Sequence, residues 1–117
     1  MKRSLLLQLA RDSIVEVLQA QNSIDKKGLL EEHLLLHSKI QTTLNIYLKH
    51  ELRGSYVTLT QDSSLLDNVI ISAKKAAFED SRFSPLTTSE YLSCEIELIL
   101  NTDEGIMSEK DPAILKD

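Results

Sequence analysis

Tryptophan is missing from the 117 residues, and there are only one cysteine, two prolines, two phenylalanines and three glycines. A single cysteine, Cys94, cannot close an internal disulfide, so nothing argues for an oxidising compartment. Gly28, Gly54 and Gly105 stand far apart, which excludes a glycine-rich phosphate loop. The aromatic residues Tyr47, Tyr56, Phe78, Phe83 and Tyr91 are too dispersed to form a platform for stacked bases. Basic residues are in the minority, 13 against 18 acidic ones, giving a net charge of -5. That sign opposes phosphate, so no nucleic-acid partner is expected. No apolar run approaches the roughly 20 residues of a membrane span. At the start, Lys2 and Arg3 precede Leu5-Leu6-Leu7, but Gln8 and Arg11 interrupt the run before it reaches the about 7–15 apolar residues of a signal peptide. No membrane partner is therefore expected, and a cytoplasmic protein is.

What is present reads as one globular domain over residues 1–117, with 42% apolar and 26% charged residues. Leu6, Leu9, Ala10, Ile14, Val17 and Leu18 recur at helical spacing over residues 4–21, with Ser4 placed to cap and Gln8, Arg11, Asp12 and Glu16 on the polar face. Residues 22–28 read as a loop and 29–37 as a short helix. Leu44, Ile46 and Leu48 then alternate with Thr43, Asn45, Tyr47 and Lys49, the signature of a half-buried strand. The β-rich residues 52–60 follow too closely for a parallel crossover, so the two form a hairpin. Ser64 and Asp67 open a helix carrying Leu66, Val69, Ile70, Ala73 and Ala77 on one face, and Pro85 prevents its continuation. Thr87 with Glu90 caps one further turn. A third strand alternates Cys94, Ile96, Leu98 and Leu100 with polar neighbours; residues 103–117 read as a polar tail, with Asp111-Pro112 as a start for a terminal helix. The fold class is α+β: a mostly antiparallel sheet of at least three strands with two main helices packed on it.

Several segments, in order along the chain, resemble the AMMECR domain family. The opening helix is similar to LLLQLARDSIVEVL, and Glu51-Leu52-Arg53-Gly54-Ser55-Tyr56-Val57 stands where the family carries Leu-Arg-Gly-Cys-Ile-Gly. Ala76-Ala77-Phe78-Glu79-Asp80-Ser81-Arg82-Phe83 and the strand CEIELILNT complete the set. The departures are specific: Ser55 replaces the family's cysteine, Tyr56 its isoleucine, Val57 its second glycine and Ser81 a proline. Members also continue beyond the third strand, so the chain looks like a truncated or diverged relative. No thiol chemistry carries over to Ser55, because a hydroxyl without a base beside it has no accessible anion at neutral pH.

Arg53, Gly54 and Ser55 are the candidate ligand-binding residues. A strand glycine marks a bulge or a close approach, and a guanidinium offers a fork of donors to a carboxylate or phosphate. The competing expectation is structural: Gly54 lets the sheet bend while Arg53 pairs with Glu51 or Asp80. His50, at the hairpin turn, is a weaker candidate as a base near Ser55, for lack of a carboxylate to orient it. His33 and His37 have metal-ligand spacing on a helix but no third ligand, so no metal and no cofactor is expected. Neither a nucleophile–base pair nor a cofactor loop stands out. The expectation is a non-enzymatic binding or regulatory protein that works through protein contacts, as a homodimer or with another protein. The alternative is an enzyme or small-anion-binding protein using the Arg53-Gly54-Ser55 segment; the resemblance leaves it open, since some members are encoded beside radical-SAM and Memo-type proteins.

Overall fold

The structure, a computed structural model, describes residues 3–58 and 62–115. Lys2, and the end of the second strand expected at Leu59 and Thr60, lie outside the described residues.

Helix α1 spans Leu5–Leu18, and the Ser4 side chain accepts a hydrogen bond from the Leu7 amide at 3.2 Å, as a capping hydroxyl should. Leu6, Leu9, Ala10 and Ile14 enter the core, whereas Val17, expected there, is exposed. Helix α2, Lys26–Glu32, starts earlier than anticipated, with Asp25 as its cap. The single helix expected over 29–37 is broken at His33, whose extended backbone (φ −132°) separates α2 from a 3₁₀ turn at Leu34–His37. The break has a packing reason. It aims Leu36 into the core while Leu34 and Leu35 stay exposed.

Strands β1, Gln41–Leu48, and β2, Glu51–Val57, form the expected hairpin. Its two-residue turn places Lys49 (φ 50°) and His50 (φ 68°) in the left-handed region, where hairpins of this twist ordinarily use asparagine and glycine. Helix α3, Leu65–Phe78, is capped by Ser64, and α4, Thr88–Ser93, carries a full capping box between Thr87 and Glu90. Strand β3 is Glu95–Thr102. The residues expected to be a tail with a terminal helix instead form β4, Gly105–Asp111, and no helix starts at Asp111-Pro112. Its polar sequence hid it, because most of β4 is exposed and shows no buried alternation.

The sheet runs β2-β1-β3-β4, every neighbouring pair antiparallel. Helices α1 and α3 pack on one face, against Leu44, Ile46, Ile96 and Leu98, all fully buried. Leu44 pairs with Leu98 and Ile46 with Ile96, so these side chains share the helix side of the sheet. Asn45, Tyr47 and Glu97 lie on the opposite side. No helix among the described residues is long and apolar enough to cross a membrane.

Candidate functional site

The register of the hairpin slips between Ile46 and Tyr47, where Ile46 faces Gly54 and Tyr47 faces Leu52. Arg53 is thus the extra residue of a β-bulge, a device that re-aims a side chain. Gly54 is buried, and a Cβ there would collide with the Ala76 carbonyl oxygen of α3. Both expectations for the glycine hold at adjacent residues: the strand bends at Arg53, and helix and strand backbones approach at Gly54.

The bulge delivers Arg53 to α4. Its Nε and Nη2 donate to the two carboxylate oxygens of Glu90, each at 3.0 Å. The partner is neither Glu51 nor Asp80, the acidic residues expected from the sequence. Hydrogen bonding from Arg53 holds the Glu90 carboxyl below its ordinary value, assisted by the Thr87 amide of the capping box, despite partial burial. One carboxylate therefore caps α4 and clamps β2. The guanidinium also lies 5.7 Å from the centre of the Phe83 ring, which Arg82 approaches from 5.4 Å. Phe83 thus has two guanidinium groups within cation–π range.

Ser55 serves a different surface. Its Oγ donates to Asn45 Oδ1 at 2.6 Å, and Asn45 Nδ2 and Tyr47 Oη both donate to Glu97. Burial, together with that neighbouring carboxylate, raises the Tyr47 phenol above its ordinary value. The Ser55 amide, on the free edge of β2, donates to Asp80 Oδ2 at 3.1 Å. Asp80 in turn accepts from Arg82 Nη2 at 2.8 Å; those bonds outweigh its burial and lower its carboxyl to about 2. Hence two of the segments on which the resemblance rests, Glu51–Val57 and the stretch holding Asp80, Arg82 and Phe83, meet in one contact.

His50 does not join Ser55. Its Nδ1 lies 3.5 Å from Glu95 Oε1, and the His50 side chain is 92% exposed. Ser55 Oγ is bonded to an amide oxygen, which cannot take its proton. His50 and Arg53 do share an open groove of about 930 Å³, with Leu52, Phe83, Glu90 and Leu115 among its walls. His33 and His37 do not share one helical face: His33 ends α2 beside Glu32, and His37 Nε2 lies 2.9 Å from the Leu30 carbonyl. Among the described residues no group of three His, Cys, Asp or Glu side chains could hold a metal. Cys94 is buried against Arg11, and burial pushes its thiol up, as for an inert core cysteine.

Sequence reasoning missed Arg11. Placed on the polar face of α1, it is fully buried, with Nε 2.6 Å from Asp111 Oδ2 and Nη2 donating to the carbonyls of Cys94 and Pro112 at 3.0 Å. An arginine on an amphipathic helix gives no sign that a carboxylate 100 residues later will meet it.

The fold and site define a small α+β domain: one four-stranded antiparallel sheet, helices on one face, and a bulged arginine–glycine strand pinned to a following capping box. Residues 7–113 match the AMMECR1 family, and the chain belongs to it. Among solved structures it is similar to an uncharacterized protein from Pyrococcus horikoshii, with a TM-score of 0.70 and 24% identity over 81% of this chain. The chain spans about half of that protein, 48% of its length. No curated protein matches it.

Proposed function

We propose that this AMMECR1-family domain is a non-enzymatic binding or regulatory protein that acts through protein contacts, with a second copy or another protein in the cytoplasm. The observation that carries this reading is the closure of Arg53 onto Glu90. The forked donors that would grip an anion already hold a carboxylate, and Ser55 faces the other side of the sheet. Polar chemistry is turned inward, while Leu34, Leu35, Ile106 and Met107 are left in water. The alternative, an enzyme or small-anion-binding protein, draws support from one feature. Two non-glycine residues in left-handed conformation, Lys49 and His50, border the groove that Arg53 lines.

Arg53→Ala separates the two. For the binding reading, calorimetric titration with inorganic phosphate gives no saturable heat for the natural chain, and the variant loses about 1–2 kcal/mol of stability in urea unfolding. Saturable phosphate binding that Arg53→Ala abolishes at unchanged stability would overturn it.

A further inference from the structure

The two edges of the sheet are treated differently. On β2 the bulge at Arg53 distorts the edge, and the outward amide of Ser55 is covered by Asp80. Strand β4 pairs with β3 in unbroken register over all seven of its residues, from Thr102 opposite Gly105 to Ile96 opposite Asp111. In a hairpin closed by a two-residue turn, bonded and non-bonded pairs alternate from the closing pair. That alternation turns the N–H and C=O groups of Ile106, Ser108 and Lys110 away from β3. None of these backbone groups makes a hydrogen bond outside the sheet among the described residues. Ile106 and Met107, on opposite faces of the same edge, are 74% and 62% exposed. An unbulged edge with free amides and exposed apolar side chains is a template for another strand.

We propose that a second copy of this chain docks on β4, edge to edge and antiparallel, across a twofold axis at Ser108. The sequence of β4 suits its own reverse. About that axis Lys110 faces Ile106 of the second copy on one side of the sheet, and Glu109 faces Met107 of the second copy on the other. No like charges are directly opposed, and each long charged side chain covers an apolar neighbour. The small Ser108 sits at the axis, where an isologous contact places a residue against itself. The one mismatch is that the two Glu109 carboxylates are diagonal to each other. With one strand per side against the roughly 20–30 residues of a stable interface, the dimer is weak and concentration-dependent. The result is a continuous eight-stranded sheet, four strands from each copy.

This inference names a partner for the protein-contact reading and rests on that reading only there; a monomer would refute the dimer and leave the Arg53→Ala outcome untouched. Sedimentation velocity of the full chain from micromolar to millimolar concentration supplies the test, with three variants. Ser108→Pro removes an outward N–H without touching the ladder to β3, and raises the dimer dissociation constant tenfold or more. Ile106→Lys sets a lysine opposite Lys110 of the second copy and does the same, which guards against a folding defect in the proline variant. Glu109→Gln relieves the diagonal repulsion and tightens the dimer about two- to threefold. A natural chain that stays monomeric throughout overturns the proposal, as does a dimer that ignores Ser108→Pro and Ile106→Lys.

Discussion

Arg11 and Arg53 are each paired with a carboxylate distant in sequence, yet they hold the molecule in different ways. The Arg11 side chain is 1% exposed and that of Asp111 7%; for Arg53 and Glu90 the figures are 12% and 29%. Around Arg11 every donor direction is used, on Asp111, on the Tyr91, Cys94 and Pro112 carbonyls, and on the Cys94 sulfur. Arg3 adds a second guanidinium to the same aspartate, with Nε 3.0 Å from Oδ1. This cluster sews α1 to the start of β3 and the end of β4. The Arg53 pair sits at the wall of an open groove, where water screens it. Sharing a residue type therefore says little about role; burial and the number of satisfied donors decide it.

Removing one member of each cluster exposes that difference. Asp111→Ala leaves a buried guanidinium without its counter-charge, and the expected loss is about 3–5 kcal/mol in urea unfolding, the largest effect of any single change considered. A loss no greater than that of Arg53→Ala would erase the distinction between the two arginines. Between them falls Gly54→Ala. The new methyl meets the Ala76 carbonyl, a backbone atom that cannot rotate away, so helix and strand must separate at a cost of about 1–3 kcal/mol. A crystal structure of that variant showing α3 unmoved would mean that the bulge absorbs the strain.

Much of this architecture was legible in the order of residues, and the part that was not has a common cause. Strands β1 and β3 announced themselves because each has one buried and one wetter face, so Leu44 and Ile46, or Ile96 and Leu98, alternate with polar neighbours. The cap residues Ser4, Ser64 and Thr87 act within three positions and are equally readable. Strand β4 has no buried face to imprint a period, and so it passed for a tail. The partners of the arginines lie far along the chain, 37 residues from Arg53 to Glu90 and 100 from Arg11 to Asp111. Local spacing carries no trace of such pairs. The candidate segment was found through its glycine and its arginine, but the surface each residue serves came only from the bulge, which sends Arg53 and Ser55 to different elements.

The smallest expected effect concerns Asp80, the residue that guards the β2 edge, and its sign follows from the direction of its shift. Its folded-state value of about 2 lies below the ordinary 3.8, so the folded chain holds that proton more weakly than the unfolded chain does. The contribution is complete above about pH 4 and fades as the pH falls toward 2, while the unfolded chain gains a proton that the folded one resists. Arg82 is more than half exposed, which discounts the pair, so the loss across that interval is about 1 kcal/mol. Asp80→Asn should lower stability at neutral pH by a similar amount and flatten that part of the acid limb, measured as the urea midpoint at successive pH values. An unchanged slope in the variant would assign the acid sensitivity to other carboxyls and leave the Ser55 amide cover as packing alone.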